Sequence, residues 1–387
     1  MKRKKKFDPR NLALLLFSIL CSLGILEIAL RILFSSNQSF LVDAHRDVPF
    51  ITKNPYWKVW HYTDATCNHN STCFDATYHT NALGLKGPEL RDSSKYRIAL
   101  IGDSYVEGYG KSNHQIFPHF LDSLTGEEVE ILNFGTSGGF GTVNEVALYE
   151  NFARHFKPDL VILFYLNYND VHDNLNAISN GRIDKDMNLT YKVGTKEEVF
   201  ASVSANIQPA PTSAVISGLY VLELAGKGWS ALEVFAQNAL NMKMDFHSGL
   251  ADIYAEEDVD YLQPGYDAVG ASLKRFIELT SADSAKFVVI NFPDPFQVDD
   301  NWIAMTEFKK DITLNPTKPN KIIRNICKEL DVAYYDMYPN AKAHIDKNEM
   351  EFPYLSHTCD RHPSTIGHRY LANDIYQFLN TNKYLNF

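Results

Sequence analysis

YRIALIGDSYVEGYG, residues 96–110, runs apolar from Ile98 to Ile101 and then breaks off at Gly102, Asp103 and Ser104. A short run that is apolar at successive positions suits a strand buried on both faces, the kind found in a parallel sheet covered by helices. The same signal recurs in VEILNFG (129–135), DLVILFYL (159–166), KFVVINFP (286–293) and VAYYDMYP (332–339). Between these runs the apolar spacing turns helical. It does so in HQIFPHFLDSLTG (114–126), TVNEVALYENFARHF (142–156), YDAVGASLKRFIELT (266–280) and KIIRNICKEL (321–330). A closing helix is expected over 364–380, with Ser364 as its N-cap. Strand–helix alternation of this kind predicts an α/β fold, a three-layer α/β/α domain with about five parallel strands.

In such a sheet, ligands bind where strands end and helices begin. Ser104 stands one residue past a strand end, where a hydroxyl is exposed near backbone N–H groups. That placement suits a nucleophile and the oxyanion it creates. A serine nucleophile needs a base, and CDRHPSTIGH (359–368) offers His362, with Asp360 two residues earlier to orient the ring. Oxyanion donors are expected from NFGTSGGFGT (133–142), which contains Gly138, and from LNYNDV (166–171), where Asn169 carries a side-chain amide. Taken singly, each is an ordinary turn sequence. Three such turns at three successive strand ends point to one site.

Together the four pieces resemble the SGNH (GDSL-like) hydrolase family. GDSY is similar to its first block, TSGG to its second, NYND to its third and CDRHP to its last. The resemblance covers roughly residues 96–175 and 265–380. It implies an SGNH/flavodoxin-like fold, Ser104 as nucleophile, His362 and Asp360 as its partners, and Ser104, Gly138 and Asn169 around the oxyanion. The basic N-terminus, a single span and the NALGLKGPE lead-in also resemble membrane-anchored bacterial members. The chain departs from the pattern in two places. One residue, not two, separates Asp360 from His362, and Asn167 and Tyr168 fill places where the third block usually carries glycine. The G-x-S-x-G elbow of α/β-hydrolases is absent, because Val106 occupies its last position.

The activity so implied is that of an extracytoplasmic serine esterase, acting through an acyl-enzyme on an ester-bearing small molecule or a glycan, for instance O-acetyl groups of envelope polysaccharide. Three alternatives share the same residues or scaffold. They are a polysaccharide O-acetyltransferase, a lipase or phospholipase with residues 171–263 as an inserted lid, and a non-catalytic glycan-binding or assembly protein. No cofactor is implied.

Charge and hydropathy set the location. Residues 2–10 carry a net +5, so the rest of the chain sums to −15 within the total of −10. A body that acidic lacks the cationic surface nucleic acid requires. Residues 12–34 form one apolar segment, which as a helix reaches roughly 34 Å, enough for a ~30 Å hydrocarbon core. Lys and Arg crowd its N-terminal flank, which places residues 1–11 in the cytoplasm and the remainder in the periplasm or at the cell surface. A cleaved signal peptide is the other reading of this segment. The expected organisation is therefore a basic tail (1–11), an anchor (12–34), a lead-in (35–95) and a hydrolase-like domain (96–387) with an insertion at 171–263.

Of the five cysteines, Cys67 and Cys73 bracket the polar stretch NHNST and form a candidate disulfide in an exported domain. Cys327 lies on an apolar helical stripe, read as a buried thiol, with a bridge to Cys359 as the alternative. No spacing suggests a zinc site.

Overall fold

The computed structural model describes residues 9–33, 51–70, 74–91, 95–207, 252–298, 313–348, 356–357 and 360–385. The chain divides into two compact units. One comprises residues 1–46, 70–72 and 209–244, of which helix α1 (Pro9–Leu33) and Asn70 are described. The other holds residues 47–69, 73–208 and 245–387.

α1 is 25 residues long, and Leu14 and residues 17–28 are the side chains described in it. Among the described residues, no helix is long and apolar enough to cross a membrane. The span expected over 12–34 is not established by these residues.

The second unit opens with two short hairpins, β1 (Ile51–Asn54) with β2 (Lys58–His61), and β3 (Thr66–Asn70) with β4 (Asp75–His79). Then comes the expected alternation: β5 (Tyr96–Gly102), α2 (Ser104–Glu107), α3 (Phe117–Thr125), β6 (Val129–Gly135), α4 (Thr142–Asn151), β7 (Leu160–Tyr165) and α5 (Asn167–Ser179). α6 (Lys196–Ser204) follows, and after it α7 (Gln263–Ala282), β8 (Lys286–Asn291), α8 (Pro295–Val298), α9 (Lys318–Glu329), β9 (Ala333–Asp336) and α10 (Tyr338–Asn348). The chain closes with a small hairpin, β10 (Ser356–His357) and β11 (Asp360–Pro363), and α11 (Thr365–Thr381). Within the insertion expected at 171–263, SAVISGLYVLELAG (213–226) and WSALEVFAQNALNM (229–242) read as helices from their apolar spacing and lie outside the described residues.

Five parallel strands pair in the order β6-β5-β7-β8-β9. Alternate residues divide between the two faces, as the two-residue period of a strand requires. Ile98 and Leu100 of β5, with Leu160, Ile162 and Phe164 of β7, face a core closed by α3 and α11. Ala99 and Ile101, with Val161, Leu163 and Tyr165, face the opposite core, closed by α4, α7 and α9. Both faces are dry, which is why the strands read as unbroken apolar runs. The order runs second-first-third-fourth-fifth, so the direction of winding reverses between β5 and β7. The carboxyl ends of those two strands flank the crevice where open α/β sheets place ligands.

The β1–β2 hairpin is fastened to this core. Trp57 and Trp60 are fully buried. The Trp57 ring stacks on Phe152 at 5.4 Å, and Trp60 meets the same ring edge-on at 5.6 Å.

Candidate active site

β5 ends at Gly102, and Asp103 caps the one-turn helix α2 with its Oδ1 accepting the Tyr105 N–H at 2.9 Å. Ser104 is the first residue of that turn, at the crevice between β5 and β7. Its Oγ lies 2.8 Å from Nε2 of His362. The two residues are 258 positions apart, and the β10–β11 hairpin makes the meeting possible by carrying His362 back over α2. Ser364 then caps α11 by accepting the Gly367 N–H at 3.0 Å. The imidazole is held between aromatic rings, Tyr109 at 4.5 Å and Tyr105 at 5.5 Å. Asp360 sits on β11, paired with His357. Its side chain lies outside the described residues.

Asn169 is the third residue of α5, directly after β7, and so part of a helix rather than a free turn. Its Nδ2 donates to Asp103 Oδ2 at 2.7 Å, which fixes the amide beside Ser104. Gly138 lies in the exposed loop after β6, with φ at +99°, a conformation that side-chain-bearing residues rarely adopt. A β-carbon there would touch Val59 and Ile51 at 3.4 and 3.5 Å, so the β1–β2 hairpin borders the loop.

No protein-family model and no curated protein matches the chain. Several solved structures resemble it weakly. One is the acetyl xylan esterase AlAXEase, 14% identical, matched over 73% of this chain and 99% of that one with a TM-score of 0.38. A second is Axe2, an acetylxylan esterase from Geobacillus stearothermophilus, 13% identical over 74% and 95% with a TM-score of 0.36. A third is the lipase/acylhydrolase from Enterococcus faecalis, 12% identical over 74% and 96% with a TM-score of 0.37. Likeness at this level leaves function to be read from the site itself.

Around the crevice stands a set of buried polar groups that the sequence reading does not single out. Glu107, the last residue of α2, is fully buried. It accepts the Ser137 N–H, and His61 Nε2 stands 3.7 Å from its Oε2. Burial pushes the Glu107 carboxyl up, but His61, the charge of Lys86 and the Ser137 amide together outweigh it and hold it at about 2. Lys86 is itself buried, donating to the carbonyls of Gly108 at 2.7 Å and Lys111 at 2.6 Å, with its ammonium 3.6 Å over the Tyr78 ring. Burial lowers it to about 7 despite the charge of Glu107. Each of the two lies in a glycine-containing polar segment, Glu107 in EGYGK (107–111) and Lys86 in NALGLKGPE (81–89), where a charged residue reads as solvated.

Behind Asn169 lies a second cluster, of acids. Asp103, Glu145 and Asp170 are buried, and burial raises all three, most strongly Glu145 and Asp170. Burial lifts the neighbouring Asp173 to about 7 against the pull of Lys58. Asp170 Oδ2 takes the Leu166 N–H at 2.6 Å, whereas both oxygens of Glu145 are buried without a hydrogen-bond partner. Among the described residues, no group of three His, Cys, Asp or Glu side chains is arranged to hold a metal ion.

The candidate Cys67–Cys73 pair falls partly outside the described residues, because Cys73 is not among them; Cys67 is buried on β3. Cys327 is a free thiol, fully buried on the apolar face of α9; Cys359 also lies outside the described residues. Two cavities open away from the crevice. One of about 940 Å³ borders α7 and α9, one of about 490 Å³ borders residues 85–91 and α3, and neither is lined by Ser104 or His362.

Proposed function

We propose that the chain is a serine esterase working through an acyl-enzyme. The observation that carries this is the 2.8 Å contact between Ser104 Oγ and His362 Nε2, at the switch point of a parallel sheet. His362 takes the Ser104 proton as Oγ attacks the ester carbonyl. The tetrahedral oxyanion is met by the N–H groups of Ser104 and Gly138 and by the second N–H of the Asn169 amide, the first being held by Asp103. His362 then returns the proton to the leaving alcohol. Water, deprotonated by the same imidazole, releases the acid and frees Ser104. Asp360, two residues before His362, is assigned to orient the ring. This division of roles needs no cofactor.

The acyl group is proposed to be small, because the bulky Tyr168 stands beside Asn169 where the third block of the resembled family usually carries glycine. Ester-bearing glycans with O-acetyl groups fit such a site. For location, the proposal is a single-pass anchor with the site outside the cytoplasmic membrane. Its support is in the sequence, where the apolar segment 12–34 follows the basic residues 2–10. Leu14, Phe17, Leu20, Ile25 and Ile28 are each at least 60% exposed on α1.

The test is labelling of the full chain by a fluorophosphonate probe, with Ser104→Ala as control. Labelling of the wild type and none of the variant is expected. Labelling that persists in Ser104→Ala would place the nucleophile elsewhere. Turnover of p-nitrophenyl acetate well above that of the octanoate ester is expected for a small acyl site.

A further inference from the structure

The loop carrying Gly138 is gripped on both sides by charged side chains, one from each part of the unit. On its inner side, Ser137 donates its N–H to Glu107, the last residue of the helix that Ser104 begins. On its outer side, Gly139 offers its carbonyl to the ammonium of Lys58, from the β1–β2 hairpin. Gly138 lies between the two contacts. Glu107 is fully buried and cannot move without dragging α2. Lys58 is similarly fixed. It sits next to Trp57, and Asn54 Oδ1 accepts the N–H groups of Tyr56 at 2.9 Å and Trp57 at 3.3 Å, closing the turn before it. The backbone of Lys58 has φ at +96°, a conformation that a non-glycine residue rarely adopts and that persists only where the surroundings impose it. Asp173 Oδ1 stands on the same side of Gly139 as the Lys58 ammonium, the two lying 3.1 and 2.9 Å from where a β-carbon would be, and its charge holds that ammonium in place.

We infer that Glu107 and Lys58 are positioning residues that fix the Gly138 N–H toward the Ser104 carbonyl adduct, and that the β1–β2 hairpin is a working part of the catalytic site. The inference rests on the esterase reading. Ser104 and Gly138 belong to different strand–helix connections, and an oxyanion site needs their N–H groups at a fixed separation. Glu107 supplies the fixed length, since Ser104 and Glu107 share one helical turn. Lys58 holds the loop from swinging outward into solvent.

The experiment compares wild type with Lys58→Met, Lys58→Arg, Glu107→Gln and Glu107→Leu, by kcat and KM on p-nitrophenyl acetate and by hydrogen exchange of the Ser137 amide. Lys58→Met is expected to lower kcat roughly tenfold to a hundredfold, the scale of a misplacement near 1 Å, with KM within about twofold. Ser137 exchange should quicken in parallel. Lys58→Arg, which keeps a donor for Gly139, should recover most of kcat. Glu107→Gln keeps an acceptor for Ser137 and should fall less than Glu107→Leu. If the leucine variant does not fold, the Lys58 series decides alone. Unchanged kcat and unchanged exchange in Lys58→Met, with the wild type active, would overturn the inference while leaving the esterase reading intact. A wild type that neither turns over the ester nor takes the probe sinks the esterase reading and this inference with it.

Discussion

Asn169 Nδ2 donates to Asp103 Oδ2 at 2.7 Å, tying the first turn of α5 to the residue that immediately precedes Ser104. One carboxylate thus does two jobs, since its other oxygen caps α2 through the Tyr105 N–H. Asn169→Ala removes an oxyanion donor and is expected to cut kcat by about 10²–10³-fold, with about 1–3 kcal/mol of stability lost because Asp103 Oδ2 is left without its donor. Asp103→Ala should lower activity as well, and in addition lose about 1 kcal/mol of stability with the cap. Steady-state kinetics and urea unfolding on the two variants separate the effects.

Gly135, the last residue of β6, has no room for a side chain. A β-carbon would lie 2.1 Å from the Glu107 nitrogen and 2.4 Å from the Val106 carbonyl carbon. Both are backbone atoms of α2 and cannot rotate away. Gly135→Ala is therefore expected to displace the turn bearing Ser104, costing on the order of 2 kcal/mol or more. Thermal unfolding and the rate of fluorophosphonate labelling should both fall.

Lys86 is a buried cation whose two carbonyl partners lie on the segment following α2. Lys86→Met matches its volume but leaves those carbonyls unpaired and the Glu107 charge less compensated. A loss of about 3 kcal/mol is expected, the scale for breaking a buried charged contact. Denaturant unfolding at about pH 6, below the folded-state value of about 7 where the amine is charged, measures it.

Glu145 provides a pH test. Burial, then the charges of Asp170, Asp103 and Asp173, raise its folded-state carboxyl well above the ordinary range. Above the usual carboxyl range the unfolded chain has lost this proton while the folded one keeps it, so the group makes stability fall as pH rises toward its folded value. Glu145→Gln abolishes that dependence. The fall in Tm between pH 5 and pH 8 should be smaller in the variant than in the wild type. An equal fall in both would place the titrating proton elsewhere.

The central sheet was legible because its strands are dry on both faces. The runs expected at 96–102 and 129–135 match β5 and β6 residue for residue, and the later strands differ only at their ends. The three strand-end motifs GDSY, TSGG and NYND could likewise be read, since each carries polar residues out of an apolar run, whereas in CDRHP the residues Asp360–Pro363 lie on a short separate hairpin. The lead-in was not legible as structure. Its strands are four or five residues long and only partly buried, too short for a period to show. For the same reason Lys58, His61 and Lys86 gave no sign of facing the crevice. A lone charged residue in a polar segment reads as solvated, and only tertiary packing on Phe152 and Tyr78 turns it inward.

The separation of 258 residues between Ser104 and its imidazole partner has a consequence during biosynthesis. When the nucleophile-bearing strand leaves the ribosome, nothing nearby can accept its proton. On the proposed esterase reading, the hydroxyl therefore stays without its base through most of translation, and reactivity switches on only once the final hairpin folds back. On the same reading, a chain truncated ahead of that hairpin would carry the nucleophile but no base to activate it.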